Sequence, residues 1–294
     1  MSGSLEDRLQ LRDGRFLDTY VSGPADDPVF LYHHGTPGAR VPMRAIEHSV
    51  LQRGLRFVTW SRPGYGDSTS QPGRSVADAA ADAEQILDWL GVDRCLTAGW
   101  SGGGPHALAC AARLPGRISS VLVIAGVGPY AAEGLDFLRG MGQDNLEEFG
   151  AVLEGEGSAR AYLEAARPNI LGLTGPSVVE GMSGLLPEID RQFLTGGVGD
   201  DVAANFREAM RTGVEGWLED DLAFVKPWGF ELSEITVPVY LWQGSDDLMV
   251  PFAHGVWLAD RVPNVTPHLE HGQGHISIGI GSIDRMLDEM VSTN

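Results

Sequence analysis

Ser101 lies in Gly99-Trp100-Ser101-Gly102-Gly103, between the apolar run Cys95-Leu96-Thr97-Ala98 and a helix-like stretch from Pro105 to Leu114. A strand that turns sharply into a helix lifts a serine on the turn clear of the sheet. Glycines two positions away on either side are required because strand and helix approach too closely for a Cβ. The helix N-terminus behind the turn favours developing negative charge. Ser101 is therefore a candidate nucleophile, and acyl transfer is the chemistry it suggests. In a chain with 39 glycines the pentapeptide is a weak signal by itself. It gains meaning only if a base, an orienting acid and two oxyanion donors follow in a suitable order.

The last sixty residues supply the base and the acid. Pro238 to Trp242 is a short β-prone run followed by Gln243-Gly244-Ser245-Asp246-Asp247, so an acid stands on the loop after a strand. Val265 to Glu270 reads as the last strand, and the loop His271-Gly272-Gln273-Gly274-His275 leads into a closing helix from Ile276 to Met290. The Gly-His context and the closing helix favour His275 over His271 as the base. An imidazole there can bond a serine on one side and a carboxylate on the other. The early strand Val29 to His33 ends in His34-Gly35-Thr36-Pro37-Gly38. Pro37 has no N–H, which leaves Thr36 as the oxyanion donor from this loop, with Gly102 as the second.

Taken together, these blocks resemble the α/β-hydrolase superfamily, in the branch that carries a helical cap. The matching residues are His34-Gly35-Thr36-Pro37, Arg62-Pro63-Gly64-Tyr65-Gly66-Asp67-Ser68, Gly99 to Gly103, Gly244-Ser245-Asp246-Asp247 with Val250-Pro251, and Gly274-His275. The resemblance implies an acid three residues after the glycine and three before Val-Pro, which selects Asp247 over Asp246. It further implies a catalytic Ser101–Asp247–His275 triad with Thr36 and Gly102 as oxyanion donors. Serine at position 101 argues against dehalogenases and epoxide hydrolases, whose members use a carboxylate nucleophile.

The elements that must position these groups follow from periodicity. Arg15 to Val21, Val29 to His33, Arg56 to Ser61 and Val121 to Ala125 read as strands. Val41 to Arg53 and Ser75 to Leu90 read as helices, the second opened by Ser75 with Asp78 three residues on. Alternating strands and helices predict an α/β fold with a mainly parallel twisted sheet and helices on both faces. From Gly126 to Leu232 the alternation stops and helical spacing takes over (Leu135, Leu138, Met141; Val202, Phe206, Met210). The expected organisation is a core of residues 1–127 and 233–294 with a helical cap, 128–232, over the active site. Trp100 beside the nucleophile and Trp217, Phe224 and Trp228 in the cap are candidate substrate contacts.

Composition narrows the function classes. The formal net charge is −19, and residues 130–231 hold 19 acidic and seven basic side chains, so nucleic-acid binding is disfavoured. The longest apolar runs are too short to span a membrane, and Met1 to Arg12 is polar with no signal-peptide pattern. The cytoplasm is the expected compartment. Cys95 and Cys110 read as buried structural thiols. His33 and His34 are adjacent on a strand, point to opposite faces and cannot chelate together. No metal or cofactor is expected. His106 is expected to pack beneath the site, and the Arg62 to Ser68 turn to be structural. A homo-oligomer stays open. The expectation is a hydrolase acting on a carboxylic ester of a small, apolar substrate. Iminopeptidase-type amide hydrolysis and carbon–carbon bond hydrolysis are the alternatives within enzymes. A non-catalytic ligand receptor is the alternative outside them.

Overall fold

The computed structural model describes residues 4–292. Eight strands form one sheet: β1 Leu5–Gln10, β2 Phe16–Ser22, β3 Val29–His33, β4 Arg56–Trp60, β5 Cys95–Trp100, β6 Ile118–Ile124, β7 Val239–Gly244 and β8 Val265–Glu270. Their order is β1-β2-β4-β3-β5-β6-β7-β8. The β1–β2 and β2–β4 pairings are antiparallel and the others parallel. The crossovers include α1 Arg44–Gln52, α2 Ala79–Leu90 and α3 Gly103–Arg113, and the last part of the chain adds α10 Phe252–Arg261, α11 His275–Gly281 and α12 Ile283–Ser292.

Alternate strand residues point to opposite faces, and each face has its own helices. Leu31, Val58, Val121, Val123 and Leu241 pack with Ile86 and Leu87 of α2, Leu108 of α3 and Leu258 of α10. Their neighbours Phe30, Phe57, Leu122, Ile124 and Tyr240 pack on the opposite side with Ile46 and Val50 of α1 and Met286, Leu287 and Met290 of α12. Central strands buried on both faces read as continuous apolar runs, which is why they are legible in the sequence. Cys95 and Cys110 are buried free thiols, and Cys110 Sγ lies 3.6 Å from His33 Nε2.

Several boundaries differ from the expectations. β1 was not foreseen: its residues are mostly exposed and polar, and it is recruited as an edge strand by antiparallel pairing with β2, Leu9 opposite Leu17. The 75–90 segment opens as a 3₁₀ turn over Val76–Asp78, and the Ser75 N–H and hydroxyl both donate to the Asp78 carboxylate, at 2.6 and 2.7 Å. The closing helix is two helices, broken at Ser282. In the first of them Gly279 lies flat against Trp100, where a Cβ would come within 2.6 Å of the indole.

Between β6 and β7 the chain is helical: α4 Gln143–Glu154, α5 Glu156–Leu171, α6 Val178–Gly181, α7 Glu188–Phe193, α8 Gly197–Ala209 and α9 Glu215–Phe224. α9 has apolar residues all around it and carries three consecutive acids, Glu219, Asp220 and Asp221, all buried. A helix of that kind is enclosed, so each of those carboxyls needs a partner inside the protein.

Candidate active site

Ser101 sits where β5 passes into α3, with φ +57°. A left-handed conformation costs a non-glycine residue about 1–2 kcal/mol, so the surrounding turn must hold it. The Ser101 N–H donates to the Ile124 carbonyl at 2.8 Å, and the Ser101 carbonyl accepts the Gly104 N–H at 2.9 Å. The flanking glycines are sterically required. A Cβ on Gly99 would collide with the Gly103 backbone, and one on Gly103 with the His33 and His34 carbonyls.

His275 is the first residue of α11, and its Nδ1 lies 2.7 Å from Asp247 Oδ2. The other Asp247 oxygen accepts the N–H groups of Met249 and Val250 at 2.8 Å each, and Gln243 Nε2 donates to Oδ2 at 3.1 Å. The carboxylate is thus fixed from three sides. With Nδ1–H donating to Asp247, Nε2 is left as the basic nitrogen. Asp246 instead has its carboxylate bonded by the Ser245 hydroxyl on the exposed side of the loop. His271 is exposed and tilts against Phe252.

A second carboxylate reaches this histidine from the inserted segment. Asp190 of α7 is fully buried, and its two oxygens accept the backbone N–H groups of His275 and Ser277, each at 2.8 Å. The fit depends on Gly274, because a Cβ there would stand 2.5 Å from the Asp190 carboxylate. Burial disfavours a charged imidazole, but Asp247, through its charge and hydrogen bond, and Asp190, through its charge, outweigh that and raise the His275 pKa above its ordinary value. A base must be unprotonated to act, so kcat/KM should climb with pH along a limb displaced above the usual histidine range. In Asp190→Asn that limb should move to lower pH, and the plateau should fall about tenfold as one positioning hydrogen bond is lost. Rate profiles from pH 5 to 9 for the two proteins check this, and an unmoved limb contradicts it.

The loop after β3 is held by a buried ionic network. Asp220 of α9 accepts Arg62 Nη2 at 2.6 Å, Arg74 Nη2 at 2.6 Å, the Tyr65 hydroxyl at 2.9 Å and the Thr36 hydroxyl at 2.7 Å. Arg62 also donates to the carbonyls of His34 and Gly35 and, at 3.0 Å, to Thr36 Oγ1. Burial alone would neutralise Asp220, but the two guanidinium groups keep its pKa well below the ordinary carboxylate range. Thr36 stands directly opposite Gly102, where a Cβ would collide with its side chain. His106, beneath the turn, has Nδ1 2.8 Å from the Gly102 carbonyl, and burial followed by the Arg62 charge pushes its pKa down to about 3. It is a neutral packing residue. His33 and His34 part company as expected: His33 packs on Trp60, and His34 Nε2 accepts the Arg62 N–H at 3.1 Å. The Arg62 turn is structural, although its reach into the Thr36 loop was not foreseen.

These groups surround a cavity of about 480 Å³ lined by Ser101, His275, Thr36 and Gly102 from the sheet side and by residues of the insert above. Trp100, Trp217 and Phe224 are among the residues that line it. Trp100 stacks on His275 with ring centroids 5.8 Å apart. Trp228 does not line it. The chain leaves α9 at Val225, and Trp228 turns away to stack on Phe230 while its carbonyl accepts the Ala77 N–H at 2.9 Å. Glu148 and Asp221, which the sequence reading did not single out, also line the cavity, and Trp217 Nε1 donates to Glu148 at 2.7 Å.

Comparison with known proteins agrees with this architecture. The model of the alpha/beta hydrolase fold family matches residues 28–281, and the chain belongs to that family. It is 26% identical over 234 residues to a bifunctional esterase/perhydrolase of Acinetobacter calcoaceticus, covering 78% of each chain. Among solved structures it resembles an epoxide hydrolase from Vigna radiata (TM-score 0.71, 17% identity, 99% and 98% of the two chains covered). It also resembles an esterase from Exiguobacterium antarcticum (TM-score 0.68, 18% identity, 98% and 99% covered). At such identities the structural likenesses establish the shared fold. That one fold carries both epoxide and ester chemistry shows that the reaction must be argued from the site.

Proposed function

We propose that this hydrolase is a serine enzyme that cleaves a carboxylic ester of a small, largely apolar substrate through an acyl-enzyme intermediate. The observation that carries the reading is a serine on a left-handed strand–helix turn opening on the same cavity as an imidazole whose Nδ1 is held by a buried carboxylate. His275 Nε2 takes the Ser101 proton as Oγ attacks the carbonyl carbon. Asp247 keeps the imidazole in the productive tautomer and stabilises the imidazolium. The N–H groups of Thr36 and Gly102 receive the oxyanion, the geometry acyl transfer needs. His275 then protonates the leaving alcohol, and water repeats the sequence to free the acid and Ser101. No metal or cofactor enters this scheme. Residues 128–232 act as a cap that encloses the substrate and supplies Trp217 and Phe224, and the protein works in the cytoplasm.

The test is turnover of p-nitrophenyl esters of increasing acyl length beside aminoacyl anilides. Ester turnover with a chain-length optimum set by the cavity supports the reading. Anilide cleavage without ester turnover replaces it with amide hydrolysis. Absence of both moves the site to a specialised carbon–carbon substrate or a receptor role.

A further inference from the structure

The wall of the cavity contributed by the insert holds a pair of carboxyls that the proposed acyl transfer does not use. Asp221 is 1% exposed, and among the described residues no group other than the Glu148 carboxyl hydrogen-bonds its oxygens. Glu148 accepts the Trp217 indole N–H and shares a hydrogen bond with Asp221. Two carboxyls in contact without a cation between them must share a proton. Accordingly, burial and then the mutual repulsion push Asp221 well above its ordinary pKa, and burial raises Glu148 to about 7. Asp144 adds a third acid to the lining, whereas no Arg or Lys lines the cavity among the described residues. The Arg74 guanidinium, whose charge acts on Asp221, is engaged by Glu219 and Asp220. Trp217 and Phe224 place aromatic surface beside the pair.

A buried acid pair of this kind is costly to fold around, and among the described residues the Trp217 N–H is the one hydrogen-bond donor it receives from outside the pair. A protonated amine would compensate it: it brings its own charge and two or three N–H donors, takes the place of the shared proton, and gains from the adjacent aromatic rings. An anion placed against this pair would be repelled. We propose that Glu148 and Asp221 form a recognition site for a substrate bearing a primary or secondary ammonium group, in the same cavity that Ser101 lines. That the occupant is a substrate rests on the hydrolase reading above, but its binding can be measured without turnover.

The experiment is calorimetric titration of the wild-type protein at pH 7 with 3-phenylpropylamine, 3-phenylpropanol and 3-phenylpropanoate, which share one apolar stem. The amine should bind at least about tenfold more tightly than the alcohol, as a charge-assisted hydrogen bond in a desolvated site provides, and the carboxylate should bind least. Because the amine displaces the shared proton, its binding heat should change with the ionisation enthalpy of the buffer, and that of the alcohol should not. In Glu148→Gln and Asp221→Asn, each close to isosteric, the amine-to-alcohol ratio should fall towards one. An amine that binds no more tightly than the alcohol, weak binding of both included, overturns the proposal. So does a ratio that survives in both variants. Should one variant fail to fold, the other variant, the wild-type series and the buffer dependence still decide. Amine preference without ester turnover would retain this site and discard only the esterase reading.

Discussion

Ser101→Ala should lower ester turnover by at least about 10³-fold while leaving the fold intact. Removing the nucleophile from a coupled Ser–His–Asp unit abolishes the covalent route as a whole, and only binding and oxyanion stabilisation remain. The fold should tolerate the change because no side-chain hydrogen bond to the Ser101 hydroxyl is seen among the described contacts, and alanine keeps the same left-handed backbone strain. Circular dichroism and the urea midpoint should therefore match the wild type within about 0.5 kcal/mol, the usual range for a change that disturbs no packing. Parallel measurement of kcat/KM and unfolding separates the two effects. Undiminished turnover in Ser101→Ala would remove the serine from the mechanism.

Asp220→Ala should be the most destabilising single substitution near the site. Asp220 is fully buried and balances Arg62 and Arg74, which are themselves almost wholly enclosed. Deleting one partner of a buried ion cluster strands the rest, at a typical cost of about 3–5 kcal/mol. The loss should also reach the chemistry, because the Thr36 hydroxyl and Arg62 lose the group that ties the loop after β3 to α9. Urea unfolding should show a lowered midpoint at unchanged slope, and the surviving folded protein should show a reduced kcat. Stability within about 1 kcal/mol of the wild type would mean that water or Glu219 compensates the arginines and that the network is not what holds the loop.

The parts of the site legible in the sequence were those governed by local backbone demands. Gly99, Ser101 and Gly103 announce a turn that only glycines can flank, and the Gly103 collision with the His33 and His34 carbonyls is that demand in three dimensions. An acid and a histidine could be read on the loops after β7 and β8; the family resemblance then pointed to Asp247 over Asp246, and the Gly-His context to His275 over His271. What escaped was set by long-range pairing. Nothing local tells which carboxylates of an acidic insert will be buried: Asp220 meets Arg62 across 158 positions, and Asp190 meets His275 across 85. One signal was available, since three consecutive acids in a helix with apolar residues on every side cannot all face water. Trp217 and Trp228 looked alike as apolar residues of the insert, and only the end of α9 at Phe224 separates their surroundings. β1 was missed because an exposed edge strand carries little hydrophobic pattern.

The central claim is that Ser101 is acylated by way of His275 and Asp247, and stoichiometric labelling tests it most directly. Wild-type protein treated with diethyl p-nitrophenyl phosphate should release one equivalent of p-nitrophenolate. It should gain a single diethylphosphoryl group on the peptide containing Ser101, and lose ester turnover in proportion to the label. His275→Ala and Asp247→Ala proteins should label far more slowly. Label on another residue, or ester turnover that persists in fully labelled protein, would contradict the account.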